Sequence, residues 1–233
     1  MIKSIADNST PVRMTPKNGQ KCFDGRKTQT RRIIIPQPIE ISWFEHQKGF
    51  CARVREGTGD AQHPAYVMVP CPFGKAGDRL WVQEDWAFPG EEALMYRGNP
   101  DDVKMYKKWM AGENYPKVTW TPDSDMPRWA CRTVLEVTSV RVERLQDCSE
   151  TDARAEGAAF VCELCGCDLD SDRGAAVHFA CDDPDCERAS HKEGFRRLWI
   201  SINGAGSWDV NPWVWVIVFE RVNERLSTNQ SGS

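Results

Sequence analysis

The spacing of apolar positions changes from segment to segment, and the changes mark out the elements. Near the C-terminus, Trp213, Trp215, Ile217 and Phe219 alternate with Val214, Val216 and Val218. A period of two in which both parities are apolar predicts a strand buried on both faces. Residues 129–144, WACRTVLEVTSVRVER, also read as a strand. There Leu135 and Val137 share one parity while Val140 and Val142 share the other, which predicts a bulge or bend near Thr138. Between these strands the period becomes helical: Phe195, Leu198, Trp199 and Ile202 fall at i, i+3, i+4 and i+7. Ser190 is the expected N-cap, Glu193 holds the capping-box position, and Asn203-Gly204 ends the helix.

Weaker signals fill in the rest. Pro16 after Thr15 opens a short helix over about 15–24, which Gly25 would end. AYVMV at 65–69 reads as a short strand, and GKAGDRLWVQEDW as a turn at Gly77-Asp78 followed by a strand. Ser149 with Asp152 three residues on predicts a further capped helix. Residues 37–64 and 98–127 show no clean period and read as insertions, the second holding a short helix in DDVKMYKKWM. Residues 1–13 and 226–233 read as loose ends. A strand apolar on both faces fits a small closed barrel with helices outside, or a sheet sandwiched between helices. The lack of regular strand–helix alternation argues against a doubly wound fold.

Composition is that of an ordinary globular chain: 233 residues, 40% apolar, 27% charged, net charge −4. No apolar run approaches the roughly 20 residues of a membrane helix, and MIKSIADNST lacks the apolar core of a secretory signal. A cytoplasmic protein without a membrane partner is expected. A single domain over 1–233 carrying the insertions accommodates this length.

The ten cysteines change the picture. Cys22, Cys51, Cys71, Cys131 and Cys148 are scattered and read as buried small side chains or surface thiols. The other five cluster between 162 and 186. Cys162-x2-Cys165 and Cys181-x4-Cys186 are four thiolates at the spacing of a zinc knuckle, with Cys167 and His178 as spare ligands. Four thiolates leave no open coordination position, so the expected Zn²⁺ over 160–188 is structural and none is catalytic. The alternative is an acidic loop with free thiols. Residues 162–187 hold eight acidic side chains against one basic, a face that repels nucleic acid.

Residues 12–32 are the opposite. Arg13, Lys17, Lys21, Arg26, Lys27, Arg31 and Arg32 face only Asp24, which suggests either a phosphate-contacting surface or a solvated basic face. The motif Gly25-Arg26-Lys27-Thr28-Gln29-Thr30-Arg31-Arg32 after a short helix resembles the signature of ASCH domains. Gly77-Asp78-Arg79-Leu80-Trp81-Val82, the stretch from Leu135 to Gly157, and FRRLWISINGAGSWDVNPWVWVIVFERV are similar to later parts of that family, often carried by bacteriophages and prophages. The resemblance covers about half the chain, in order.

What the resemblance implies is an α+β, PUA-like (ASCH) small β-barrel with flanking helices and the cysteine-rich, zinc-knuckle-like insertion. It implies recognition of a nucleobase, free or in a strand. In one branch it implies hydrolysis of N4-acetylcytidine-like nucleosides by an amidohydrolase. The catalytic positions then fall on Lys27, Thr30 and Glu156, with Glu150 as the fallback for the carboxylate. Thr30 would be the nucleophile or would position a water; Glu156 would orient Lys27 or shuttle its proton. The same residues also read as a plain ion pair and an ordinary strand threonine. Arg26, Arg31 and Arg32 are the expected base- or strand-contacting cations. Trp86 and Trp208 are the expected stacking residues. Trp199, Trp213 and Trp215 sit in periodic segments and read as core. The expected partner is a modified nucleoside or single-stranded nucleic acid. Rival readings are a non-catalytic RNA- or DNA-binding module, and a phage protein-interaction factor using the cysteine segment.

Overall fold

A computed structural model of the chain describes residues 9–38, 51–56, 65–89, 94–111, 119–162 and 189–222. In chain order these form β1 (Thr10–Arg13), α1 (Pro16–Phe23), β2 (Gln29–Ile33), β3 (Cys51–Glu56), β4 (Ala65–Pro70), β5 (Arg79–Gln83), β6 (Trp86–Ala87), β7 (Met95–Tyr96), α2 (Pro100–Met110), β8 (Val134–Arg144), α3 (Glu150–Ala155), β9 (Val161–Cys162), β10 (Ala189–Ser190), α4 (His191–Asn203) and β11 (Trp213–Arg221).

The central sheet has five strands in the order β1-β5-β8-β11-β2. Its long centre is the antiparallel pair β8–β11, and the bulge falls where the parity of the sequence changes. Val218 pairs with Ser139 but Phe219 pairs with Val137, leaving Thr138 as the extra residue. β11 is buried on both faces because two cores meet on it. Trp215, Ile217 and Phe219 join Val12, Leu80, Val82, Leu135, Val137, Val140, Val142 and Cys22 of α1 in one. Val214 and Val216 join Phe195, Trp199, Trp208, Leu145 and Ala153 in the other, under α3 and α4. Ser149 caps α3 with a full capping box to Asp152, and the Ser190 side chain caps α4 by accepting from the Glu193 N–H.

Three expectations are corrected here. The small closed barrel is not formed: β1 hydrogen-bonds only to β5 and β2 only to β11 among the described residues, so the sheet is open. A barrel needs a continuous ladder around its circumference. Here the two edge strands approach one another but are bridged by a side chain, Arg32 of β2 donating to the main-chain oxygen of Arg13 in β1. The segment 37–64, read as an insertion without a clean period, contains β3, which pairs antiparallel with β4. The structural zinc is also corrected. Among the described residues no group of three or more His, Cys, Asp or Glu side chains converges as a metal would require. Cys165, Cys167, His178, Cys181 and Cys186 lie outside the described residues. The ends of that segment are joined by the β9–β10 ladder, with Cys162 opposite Ala189. Among the described residues no helix is long and apolar enough to cross a membrane.

Candidate functional site

The turn after α1 sets the site. Gly25 adopts φ +74°, and the N–H groups of Arg26 and Lys27 both return to the Lys21 oxygen, at 2.8 and 3.0 Å. The chain is thereby wound back against the helix it has just left, and Lys27 is directed inward, 2% exposed. The next N–H, of Thr28, donates to the Ala155 oxygen at 2.9 Å, which ties the start of β2 to the end of α3. On that side Glu156 is the C-cap of α3, and Gly157 follows with φ +72°. A Cβ on Gly157 would stand 3.2 Å from the Lys27 Cβ. The close approach of the two segments therefore needs glycine for space as well as for its backbone angle.

The approach brings a lysine and a carboxylate together out of water. Lys27 Nζ donates to Glu156 Oε2 at 2.7 Å and to the Glu156 main-chain oxygen at 2.8 Å. Glu156 is 3% exposed, and its other oxygen lies 3.3 Å from Arg31. Arg31, with a fully buried side chain, also reaches Glu143 at 3.0 Å and Asp152 at 3.4 Å. Arg141 joins the same two acids, and Phe195 lies against the Arg31 guanidinium. Three cations and three carboxylates thus balance. Burial works against ionised Asp152, but the hydrogen bond from Ser149 and the charges of Arg31 and Arg141 outweigh it and bring its pKa down to about 2.

The network borders a cavity of about 300 Å³ at the unpaired edge of β2, the small end of the range for ligand sites. One wall is polar: Lys27, Thr30, Arg31, Arg32 and Glu156, with Asn18 from α1. The facing wall is apolar, from Phe195, Leu198, Trp199 and Ile202 of α4. Arg13 and Asp123, paired at 2.6 Å, also line it. Along β2 the Thr28 oxygen and the Ile34 N–H bond to β11. By alternation the N–H and C=O of Arg31 point away from β11, towards the open edge. An ammonium has three hydrogens, and two of those on Lys27 are taken by Glu156; among the described residues the third meets no acceptor. Two buried thiols lie near these charges, Cys22 and Cys148. Burial pushes each to a pKa of about 12, so neither is a thiolate nucleophile at neutral pH. Thr30 also lines the cavity and is 5% exposed; paired with Ile217, it leaves β2 on the same face as Arg32.

The structure gathers some sequence candidates and scatters others. Lys27, Thr30, Arg31, Arg32 and Glu156 share the cavity. Glu150 does not: its carboxylate accepts from the His191 and Lys192 N–H groups at the start of α4. Arg26 is exposed and paired with Asp24. Trp208 is buried, edge-on to Phe195 in the helix-side core. Trp86 packs edge-on against Trp129, away from the cavity. Sequence reasoning placed Trp199 in the core, and it missed Asn18, Phe195 and the Arg13–Asp123 pair as cavity residues. The helical stripe of α4 holds the only hint: its period marks a buried face, without saying that part of that face borders a void.

No family model, no curated protein and no solved structure matches the chain. With the open sheet, this overturns the resemblance to ASCH domains and the PUA-like fold it implied. The nucleobase- and nucleic-acid-recognition function falls with it, including its rival RNA- or DNA-binding and phage-interaction forms. The charge geometry gives the physical reason. The basic run of 12–32 is not a free surface, because Arg13, Arg26, Lys27 and Arg31 each have carboxylate partners within the chain.

Proposed function

We propose that the cavity is the active site of a hydrolase that cleaves the amide bond of a small molecule. The supporting observation is the 2.7 Å contact between Lys27 and Glu156, buried yet bordering an open cavity that Thr30 also lines. Amide hydrolysis requires a proton to leave the attacking water and another to reach the departing nitrogen. In this reading the water oxygen adds to the carbonyl carbon and its proton passes to Glu156. The third N–H of Lys27 gives a proton to the nitrogen as the C–N bond breaks. The proton on Glu156 then returns to Lys27 across their shared hydrogen bond. The products are a carboxylic acid and an amine, and the pair is restored. Thr30 positions the water, and the outward N–H of Arg31 faces the side on which the carbonyl oxygen gains charge. The apolar wall of α4 takes the non-reacting part of the substrate. The reading sets this activity in the cytoplasm, supported by free thiols at Cys22, Cys71, Cys131 and Cys148.

The test is incubation of the purified chain with a panel of small N-acyl amines, following release of the amine by mass spectrometry. Turnover that falls at least a hundredfold in Glu156→Gln is the expected result. Absence of turnover across the panel, or turnover undiminished in the variant, sinks the assignment.

A further inference from the structure

Arg31 and Arg32 are neighbours of the same type on one strand, and both line the cavity. They differ in what balances their charge. Arg31 has carboxylates on three sides: Glu143, Asp152 and Glu156. Arg32 has no carboxylate within ion-pair distance among the described residues. Its side-chain contacts are the Arg13 main-chain oxygen, the Met14 sulfur at 3.8 Å and the face of Phe73. Its Nε is buried without a hydrogen-bond partner. A guanidinium carries five N–H donors and stays charged, and partial removal from water without an anion is costly. Burial lowers the Arg32 pKa from its ordinary value, the charge of Glu156 only partly offsetting it. The strand register explains the difference. Arg31 lies opposite Val216 and Arg32 opposite Trp215. The two side chains therefore leave opposite faces of β2, Arg31 towards the acids beside α3 and Arg32 towards the Arg13–Met14 junction.

We infer that Arg32 is the anchor for an anionic group of the ligand, and that the substrate is an amide carrying a carboxylate, of the N-acyl amino acid class. This rests on the reading of the cavity as an amide-hydrolysing site. A carboxylate on Arg32 supplies the counter-charge the protein does not, in the geometry a guanidinium binds best. The amide then lies beside Lys27 and Thr30, and an apolar side chain lies along Leu198, Trp199 and Ile202. The volume of about 300 Å³ accommodates a molecule of that size. A phosphate ester offers the same guanidinium an anion, so the test separates the two.

Calorimetric binding of N-acetyl-leucine, its neutral carboxamide and its phosphonate analogue to the full chain decides the matter. The carboxylate is expected to bind at least tenfold tighter than the carboxamide, with the advantage shrinking as salt is raised. The preference is expected to vanish in Arg32→Gln and to survive in part in Arg32→Lys, with both variants checked for folding by circular dichroism. Equal affinity for acid and carboxamide, or no binding of either at millimolar concentration, overturns the inference. So does a preference unchanged in a folded Arg32→Gln. A phosphonate bound tenfold tighter than the carboxylate overturns the N-acyl amino acid assignment. Because binding is read without turnover, a carboxylate preference in a chain that hydrolyses nothing leaves this inference standing and removes the hydrolase. Turnover with no preference does the reverse.

Discussion

Among the described residues two glutamates are buried, Glu84 and Glu156, and their ion pairs are built to different ends. Glu84 is fully buried, and Arg132 grips both its oxygens at 2.8 and 2.9 Å. The same guanidinium donates to Gln20 at 3.0 Å and lies between the rings of Phe23 and Tyr96, 4.6 and 4.1 Å from their centroids. Neither residue borders the cavity. Lys27–Glu156 is as well buried but is completed differently: one ammonium hydrogen is left over, and the space beside it is a cavity rather than a ring. Burial of an ion pair is weak testimony to stability and none to function. The two pairs differ in whether the protein itself finishes the coordination. Glu84–Arg132 clamps α1 to the segments around β6 and β7. Lys27–Glu156 is finished on one side only.

The largest expected effect separates the pairs by activity. Glu156→Gln keeps the shape but removes the group that accepts the water proton, and turnover should fall by roughly 10²–10⁴-fold. Glu84→Gln should leave the turnover of folded protein unchanged. Stability should reverse the ranking. Glu84→Gln strands Arg132 without a counter-charge at a cost of about 3–5 kcal/mol, which for a chain of this size lowers the melting temperature by about 10 °C. Glu156→Gln should cost less. Arg31 keeps Glu143 and Asp152, and Lys27 keeps the main-chain oxygen and faces a cavity that admits water. Thermal melts and turnover on both variants test the contrast; equal melting losses would remove it.

How much of this was legible in the sequence follows from which interactions are local. The strands at 65–69, after Gly77-Asp78, within 129–144 and at 213–219, the Thr138 bulge, the Ser149 capping box and the helical stripe of α4 follow from periods and spacings within one segment and stand in the structure; β1, inside a stretch read as a loose end, and β3, inside one read as an insertion, carried no such signal. The barrel did not survive, because closure depends on whether β1 and β2, distant in sheet order, meet through backbone or through Arg32. Lys27, Thr30 and Glu156 were named from a motif resemblance that the comparisons do not uphold, yet the fold puts them on one cavity. Their proximity rests on contacts between the turn after α1 and the end of α3, some 129 residues apart. The basic run misled because charge along a sequence does not show that Arg31 is buried among acids 112 to 125 residues away.

Each ion pair is also built around a glycine, which gives a smaller test. Gly19, inside α1, has Glu84 where its Cβ would be: 2.8 Å from Oε2 and 3.1 Å from the Glu84 Cβ. Glycine to alanine inside a helix ordinarily stabilises by about 1 kcal/mol. Here the carboxylate is pinned by Arg132 and cannot move aside, so Gly19→Ala should destabilise, by about 1–3 kcal/mol. Gly157→Ala should cost a similar amount for another reason. Its φ of +72° is strained for alanine, and the new methyl presses on Lys27 and Lys21. The two should differ in activity: Gly157→Ala displaces Lys27 and lowers turnover in the folded protein, and Gly19→Ala does not. A stabilised Gly19→Ala would show that the Glu84 clamp is looser than its geometry.

The smallest effect concerns pH and reaches the Lys27 network from behind. Burial opposes ionisation of Asp152, but the Ser149 hydrogen bond and the charges of Arg31 and Arg141 hold its folded pKa at about 2 against an ordinary 3.8. A depressed carboxylate pKa contributes stability above the unfolded value, and that contribution is lost as pH falls through the folded one. The contribution is therefore complete above about pH 5 and disappears progressively down to about pH 2, with roughly half gone by pH 3. Discounted for partial exposure, it amounts to about 1–2 kcal/mol. Asp152→Asn removes it at every pH. Urea unfolding should show wild type more stable than the variant by that amount at pH 7, with the gap narrowing by about half at pH 3. A gap between wild type and Asp152→Asn that stayed constant from pH 7 to pH 3 would mean that Arg31 and Arg141 do not hold Asp152 ionised. The three-to-three balance of charge behind the cavity would then be wrong at that corner.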